Sequence, residues 1–111
     1  MTTADILRQL KMALETLSLG PDDQLEYVRQ LGTDVDELAL EFDDIGGTRG
    51  KLLFEGSMRL DQSDAIAAVD RQLLSMTRAG AARWTEEAVR NGEDWAELRR
   101  LAENALVRLR S

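Results

Sequence analysis

The chain has 111 residues, with 14 lysines and arginines against 21 aspartates and glutamates, so its net charge is −7 at neutral pH. It contains neither cysteine nor histidine, which excludes disulfides, thiolate metal sites and triads that need an imidazole base. The composition, 43% hydrophobic and 32% charged, is typical of a folded domain. We therefore expect one domain spanning residues 1–111.

The charge and the first residues also restrict partners and location. An acidic chain repels the phosphate backbone, so we expect no direct binding of nucleic acid. Asp5 stands where a signal peptide carries positive charge, and Arg8 and Lys11 interrupt the apolar residues that follow. We expect no signal peptide, no membrane contact and a cytoplasmic location.

Between breaks marked by glycine, apolar residues recur at steps of three and four, which predicts helices rather than strands. The predicted fold is all-α, a compact bundle of five or six short helices. We predict helices over residues 3–19, 21–31, from 33 or 34 to 45, 63–78, a short one after residue 85, and a last one from residue 94. Residues 46–56 are assigned helical character, because no partner strand is evident.

Several boundary and core residues follow from these patterns. Gly20 is predicted to follow the first helix as its C′ residue, with Pro21 opening the second helix. Capping boxes are predicted for two helices, and Asp61 or Ser63 is the predicted cap of the helix over residues 63–78. The two boxes pair Asp34 with Glu37 and Asp94 with Glu97. The predicted inner stripes are, in chain order, Ile6, Leu7, Leu10, Leu14 and Leu17; Leu25, Val28 and Leu31; Val35, Leu38, Phe42 and Ile45; and Ile66, Val69, Leu73 and Met76.

The acidity of the chain is concentrated in residues 22–44. This segment has nine acids opposed only by Arg29, a net charge of −8, so the rest of the chain is close to neutral. Asp34, Glu37, Glu41 and Asp44 recur at helical steps and are predicted to share one face. Like charges at this spacing destabilise an isolated helix by roughly 0.2–0.5 kcal/mol a pair, and a merely solubilising surface would intersperse cations.

Two interpretations of these acids stay open. They form a solvated face, helped by the helix dipole or paired with arginines of the last helix; or they form a docking face for a basic protein. For the second interpretation the contact residues, which we call the acidic surface, are Asp22, Asp23, Glu26, Asp34, Glu37, Glu41, Asp43 and Asp44.

A metal site is a further alternative, because clustered carboxylates bind Mg²⁺ or Ca²⁺. The spacing of an EF-hand fails, since Leu38 and Ala39 stand where a ligand and the turn glycine belong. Helical nucleotide pyrophosphatases place acidic motifs on facing helices, whereas the present acids follow one another on a single helix. We therefore predict no metal, no cofactor and no catalytic residue, with a metal-dependent helical hydrolase as a minor alternative.

Three other patterns receive structural interpretations. Residues 46–51 resemble a phosphate loop, but Ile45 replaces its first glycine and Leu52 its final Ser or Thr, which indicates a helix connection. Trp84 and Val89 have the spacing of a hydrophobic staple, and Trp95 is assigned to the core or, with Trp84, to an interface. The arginines at positions 99, 100, 108 and 110 are interspersed with Glu97 and Glu103, as on a mixed-sign surface.

The run LGTDVDELALEFDD at residues 31–44 resembles a stretch of small acidic helical bacterial proteins. The runs WTEEA at residues 84–88 and DWAELRRLAENAL at residues 94–106 add to the likeness. No activity is established for those proteins, so the resemblance implies a fold rather than a role. In size and charge the chain is also similar to bacterial immunity proteins, which neutralise toxins by binding them.

The sequence thus predicts a non-enzymatic, protein-binding module. Its most concrete form is an immunity protein or inhibitor that uses an acidic helix face to block a basic toxin or nuclease. The main alternative is a homodimeric structural module, in which a second copy covers apolar surface that one chain does not bury.

Overall fold

The structure, a computed structural model, describes residues 2–46 and 49–110. All regular elements in these residues are helical, which confirms the all-α fold class. Five helices have at least eleven residues: α1 (Thr3–Ser18), α2 (Pro21–Leu31), α3 (Asp36–Gly46), α5 (Leu60–Ala79) and α7 (Glu93–Arg110). Two have six residues, α4 (Arg49–Phe54) and α6 (Glu86–Asn91), and a 3₁₀ turn (Ala81–Arg83) lies between α5 and α6. None of the helices described is long and apolar enough to cross a membrane.

The last helix organises the core. α7 packs against both α1 and α5, while α3 contacts the same two helices. Leu98, Ala102 and Leu106 of α7 are buried at four-residue steps, as one face of a helix requires. The stripes predicted for α1, α3 and α5 enter this same hydrophobic cluster. The apolar spacing therefore identified the packing faces of the long helices correctly.

The buried face of α2 differs from its prediction. Leu25 and Val28 are buried as expected, but Leu31 is 53% exposed, so its assignment to the core was wrong. Leu31 is the last residue of the helix, which ends at Gly32 with a φ of 66°. Apolar spacing identifies one face of a helix, but it does not show how far along that face the neighbouring helices extend. The third buried residue of α2 is instead the polar Gln24.

Gln24 links four helices through hydrogen bonds. Its amide nitrogen donates to the carbonyl oxygens of Thr16, at 3.3 Å, and Leu17, at 3.0 Å, in the last turns of α1. Its amide oxygen accepts a 2.8 Å hydrogen bond from the Arg99 guanidinium of α7, which also donates to the Val89 carbonyl of α6 at 3.2 Å. Burial lowers the pKa of Arg99. These bonds supply partners for polar groups that would be costly to bury alone.

The predicted helix starts were less accurate. α3 begins at Asp36. The Glu37 N–H donates to the backbone carbonyl of Asp34, so a backbone turn replaces the predicted capping box. α5 begins at Leu60, before both predicted caps, because the Gln62 side chain accepts the Arg59 N–H at 2.7 Å. Competing local hydrogen bonds decided both boundaries.

The last helix also departs from its predicted cap. α7 begins at Glu93, so Asp94 lies inside the helix, where its carboxylate pairs with Arg83 at 2.8 Å. Glu97 binds Arg100 rather than completing a box with Asp94. Gly20 follows the C-cap Leu19 as the predicted C′ residue of α1, but its φ of −63° is not left-handed, and it also serves as the N-cap of α2.

Two other predictions hold. Thr85 caps α6 by accepting the Ala88 N–H at 3.0 Å, and the helix ends before Gly92. A Cβ at Gly92 would lie 2.5 Å from the Ala88 carbonyl oxygen, which explains the glycine there. The helical character assigned to residues 46–56 is confirmed for α4, while residues 47 and 48 of the glycine-rich connection lie outside the described residues.

We expect Gln24→Leu to lower the free energy of unfolding by roughly 1–3 kcal/mol, because the Arg99 guanidinium and two α1 carbonyls lose their partner. Urea unfolding measures this loss. Gln30→Leu is the matched control: it makes the same change in the same helix at an exposed residue, and should stay within about 0.5 kcal/mol of the wild type. Equal losses for both variants would contradict the role of Gln24.

Candidate functional site

The outward half of α3 carries acids on both sides of an exposed leucine. Successive residues of an α-helix are about 100° apart, so residues 36 and 43 lie on one side of residue 40, and residues 37, 41 and 44 lie on the other. Leu40 is 48% exposed in the middle. We call this set the outward face of α3; it consists of Asp36, Glu37, Leu40, Glu41, Asp43 and Asp44.

The face is therefore wider than the single row predicted from the sequence. Glu37, Glu41 and Asp44 share one side, as expected. Asp34 lies in the loop before α3 and not on the helix, so its assignment to that row was wrong. Asp43 lies on the other side of Leu40, beside α5. The acids span about half of the helix circumference and present a broad negative surface.

On the side facing α2, the phenol of Tyr27 donates a hydrogen bond to the Glu41 carboxylate. This bond, partial burial and the negative charges of Glu41 and Glu37 raise the pKa of Tyr27 to about 12. Tyr27 thus joins α2 to α3 by a hydrogen bond to Glu41, one of the carboxylates of the acidic surface. Among the described residues, Glu41 is the one predicted contact residue of α3 whose side chain has a hydrogen-bond partner within the chain, Tyr27 of α2.

The acids of α2 are partly neutralised. Asp22 pairs with Arg90 of α6 at 3.0 Å, and Glu26 pairs with Arg29 at 3.2 Å. Asp23 is exposed beside them in the first turn. Acids at this end of a helix interact favourably with its dipole. Part of the α2 acidity therefore has a structural role.

Within the side chains that the structure describes, the acids of α3 have no such compensation. Among these side chains, ion pairs reach only two acids of residues 22–44, which are Asp22 and Glu26. Two arginines of the last helix have other partners, since Arg100 pairs with Glu97 and Arg110 with Glu15. No described cation therefore neutralises the outward face of α3.

Asp43 borders a hollow between α3 and α5. The hollow has a volume of about 310 Å³ and is lined by Asp36, Ala39, Leu40, Asp43, Thr77 and Trp84. Partial desolvation and the charges of Asp70 and Asp44 raise the pKa of the Asp43 carboxyl. We call this cavity the α3–α5 hollow.

The described residues contain no group of three or more acids placed to hold a metal ion. The acids of the outward face diverge around α3, and chelation of a cation needs several oxygens that converge on one point. The geometry therefore gives the hydrolase alternative no support.

Sequence reasoning missed two features of this surface. The position of Leu40 among the acids follows from helical geometry and was available from the spacing. The approach of Thr77 and Trp84 to α3 depends on how α5 and the 3₁₀ turn pack, and no local pattern carries that information. Trp95, by contrast, is fully buried in the core as predicted, and its indole nitrogen donates to the Arg83 carbonyl at 2.7 Å.

Comparisons of this chain with protein-family models, with curated proteins and with solved structures give no match. The resemblance of residues 31–44 to small acidic bacterial proteins stays a prediction. Function is consequently argued from the charges and geometry of the acidic surface.

We expect the only tyrosine of the chain to ionise at about pH 12 in the folded protein, against an ordinary pKa of 10.0. The raised pKa means that the protonated phenol stabilises the fold fully below pH 10, and that this contribution is lost as the pH rises through about 12. Ultraviolet titration of the phenolate measures the midpoint. Glu41→Gln, which removes the charge, should move it back toward 10, and a wild-type midpoint near 10 would refute the Tyr27–Glu41 bond.

Proposed function

We propose that this chain is a non-enzymatic binding protein that presents the outward face of α3 to a basic protein. The observation that carries the proposal is the set of α3 carboxylates without cationic partners among the described residues, arranged around the exposed Leu40. Charged groups that surround an apolar centre are typical of protein interfaces, where the rim is polar and the centre buries apolar area.

Electrostatics explains what such a face would do. Like charges on one helix repel each other, and a partner carrying lysine or arginine relieves that repulsion on binding. The same negative field attracts a basic partner over a distance of about 10 Å at ordinary ionic strength and raises the association rate. Binding of this kind weakens as salt increases.

The most concrete form of the proposal is a bacterial immunity protein or inhibitor. A toxin or nuclease that acts on an anionic substrate has a cationic binding site, which an acidic helix face can cover. In this form Glu37, Glu41, Asp43 and Asp44 contact the basic residues of the partner. The acids of α2, which are Asp22, Asp23 and Glu26, extend the contact, and Asp34 borders it.

Charge reversal at Glu37 and Asp44 tests the proposal, because neither takes part in an ion pair within the described residues, whereas Glu41 is held by Tyr27. The control variant reverses Asp64 and Glu103, exposed acids on α5 and α7, and has the same net charge. We expect wild type and control to capture the same basic protein from a bacterial lysate, and E37K/D44K to lose it.

Mass spectrometry identifies the captured protein, and its release by salt checks the electrostatic mechanism. Capture of the same proteins by all three baits, or capture of nothing, would sink the proposal. Circular dichroism confirms that each bait is folded.

A second function, a homodimeric interaction module, is favoured by exposed apolar residues near α4. Phe54 is 92% exposed and Leu60 is 64% exposed, so a second copy covering them would remove apolar surface from water. If this function holds, sedimentation velocity at micromolar concentration gives about twice the chain mass of 12.4 kDa, and Phe54→Glu restores the monomer. A monomeric wild type would dismiss it.

A further inference from the structure

We propose that the α3–α5 hollow receives one arginine side chain of the basic protein partner. The proposal rests on the proposed function and specifies which residue type anchors the partner and where.

The size of the hollow suits a single side chain. Its volume of about 310 Å³ lies at the lower end of ligand pockets, which measure roughly 300–1,000 Å³. It lies at one edge of the outward face of α3, within reach of a side chain of a partner docked on that face.

The walls of the hollow match the hydrocarbon part and the flat head of arginine. Ala39 and Leu40 provide apolar surface for the methylene groups. The Trp84 indole lines the hollow, and guanidinium groups stack on aromatic rings better than ammonium groups do. Trp84 is held by an edge-to-face contact with the buried Trp95, with ring centroids 5.7 Å apart. The aromatic wall is therefore positioned before a partner arrives.

The charges at the rim select a cation. Asp36 and Asp43 border the hollow and have no ion pair among the described residues. The raised pKa of Asp43, caused by desolvation and by the charges of Asp70 and Asp44, indicates a negative potential that a guanidinium would relieve. Carboxylates bind arginine through paired hydrogen bonds, which fix its orientation as well as its position.

Two further polar side chains, Thr77 and Arg83, favour a guanidinium supplied by a partner. The Thr77 hydroxyl donates to the Leu73 carbonyl at 2.9 Å, so its oxygen stays able to accept a hydrogen bond from a guanidinium. Arg83, close to Trp84 in sequence, is paired with Asp94 at 2.8 Å and thus directed to another carboxylate. An arginine from a partner adds the cation that the rim requires.

Nuclear magnetic resonance titration of the full chain tests this proposal. The probes are hexaarginine, hexalysine and the capped tripeptide Gly-Arg-Gly, each added at low salt. We expect hexaarginine and the tripeptide to shift the Trp84 indole resonance and the amides of Leu40 and Thr77. Hexalysine should shift the Trp84 indole less, because an ammonium does not stack.

Variants at the rim provide the control. D36N/D43N should lower the affinity for hexaarginine about tenfold, a change of about 1.4 kcal/mol. D64N/E103Q, which has the same net charge, should bind like the wild type. Leu40→Arg, at a half-exposed position, places a guanidinium of the chain itself at the hollow and should abolish the shifts of the Trp84 indole.

The outcomes separate the two proposals. Shifts confined to the acids of α2 or to Glu37 and Asp44, with the Trp84 indole unchanged, would overturn the arginine site and leave the docking face standing. Equal binding of hexaarginine by D36N/D43N and the wild type would also overturn the arginine site and leave the docking face standing. Absence of any shift within residues 22–44 would overturn both.

Discussion

The arrangement of the helices depends on the hydrogen bonds of the buried Gln24 amide. Its three hydrogen bonds reach the last turns of α1 and the Arg99 guanidinium of α7, and Arg99 continues to the Val89 carbonyl of α6. Within the described residues no buried side-chain nitrogen or oxygen is left without a partner. A polar group in the core is tolerated only when it is satisfied in this way, so these four helices must keep one relative placement.

The position of α2 has consequences for the acidic surface. Because Gln24 holds one face of α2 against α1 and α7, Tyr27 is presented to Glu41 of α3. α3, which packs mainly against α1 and α5, buries Leu38 and Phe42 and turns the opposite half of its circumference outward. The acidic surface is thus supported by a packed core, and in the proposed function a partner would meet a helix face whose shape is set in advance. Such preorganisation reduces the entropy lost on binding.

In the proposed function, the outward face of α3 would serve recognition in two ways. Its charge, which no described cation neutralises, would act over a distance and favour encounter with a basic protein. The α3–α5 hollow would act at contact and distinguish arginine from other cations by shape. Repulsion among the acids destabilises the free chain, a cost that natural proteins accept at functional surfaces. On α2, by contrast, Asp22 pairs with Arg90 and Glu26 pairs with Arg29, so the chain does place cations beside some of its acids.

The sequence by itself determined the helical class, the inner stripes of α1, α3 and α5, the start of α2 at Pro21, the Thr85 cap and the concentration of acids in residues 22–44. These features depend on residues within a few turns of one another, where spacing and local hydrogen bonding suffice. Only the tertiary structure decided that Leu31 is exposed, that Gln24 is buried, and that Trp84 and Thr77 meet Asp43 beside Leu40. Those outcomes depend on which helices pack together and where each one ends, and contacts between residues distant in sequence leave no local pattern.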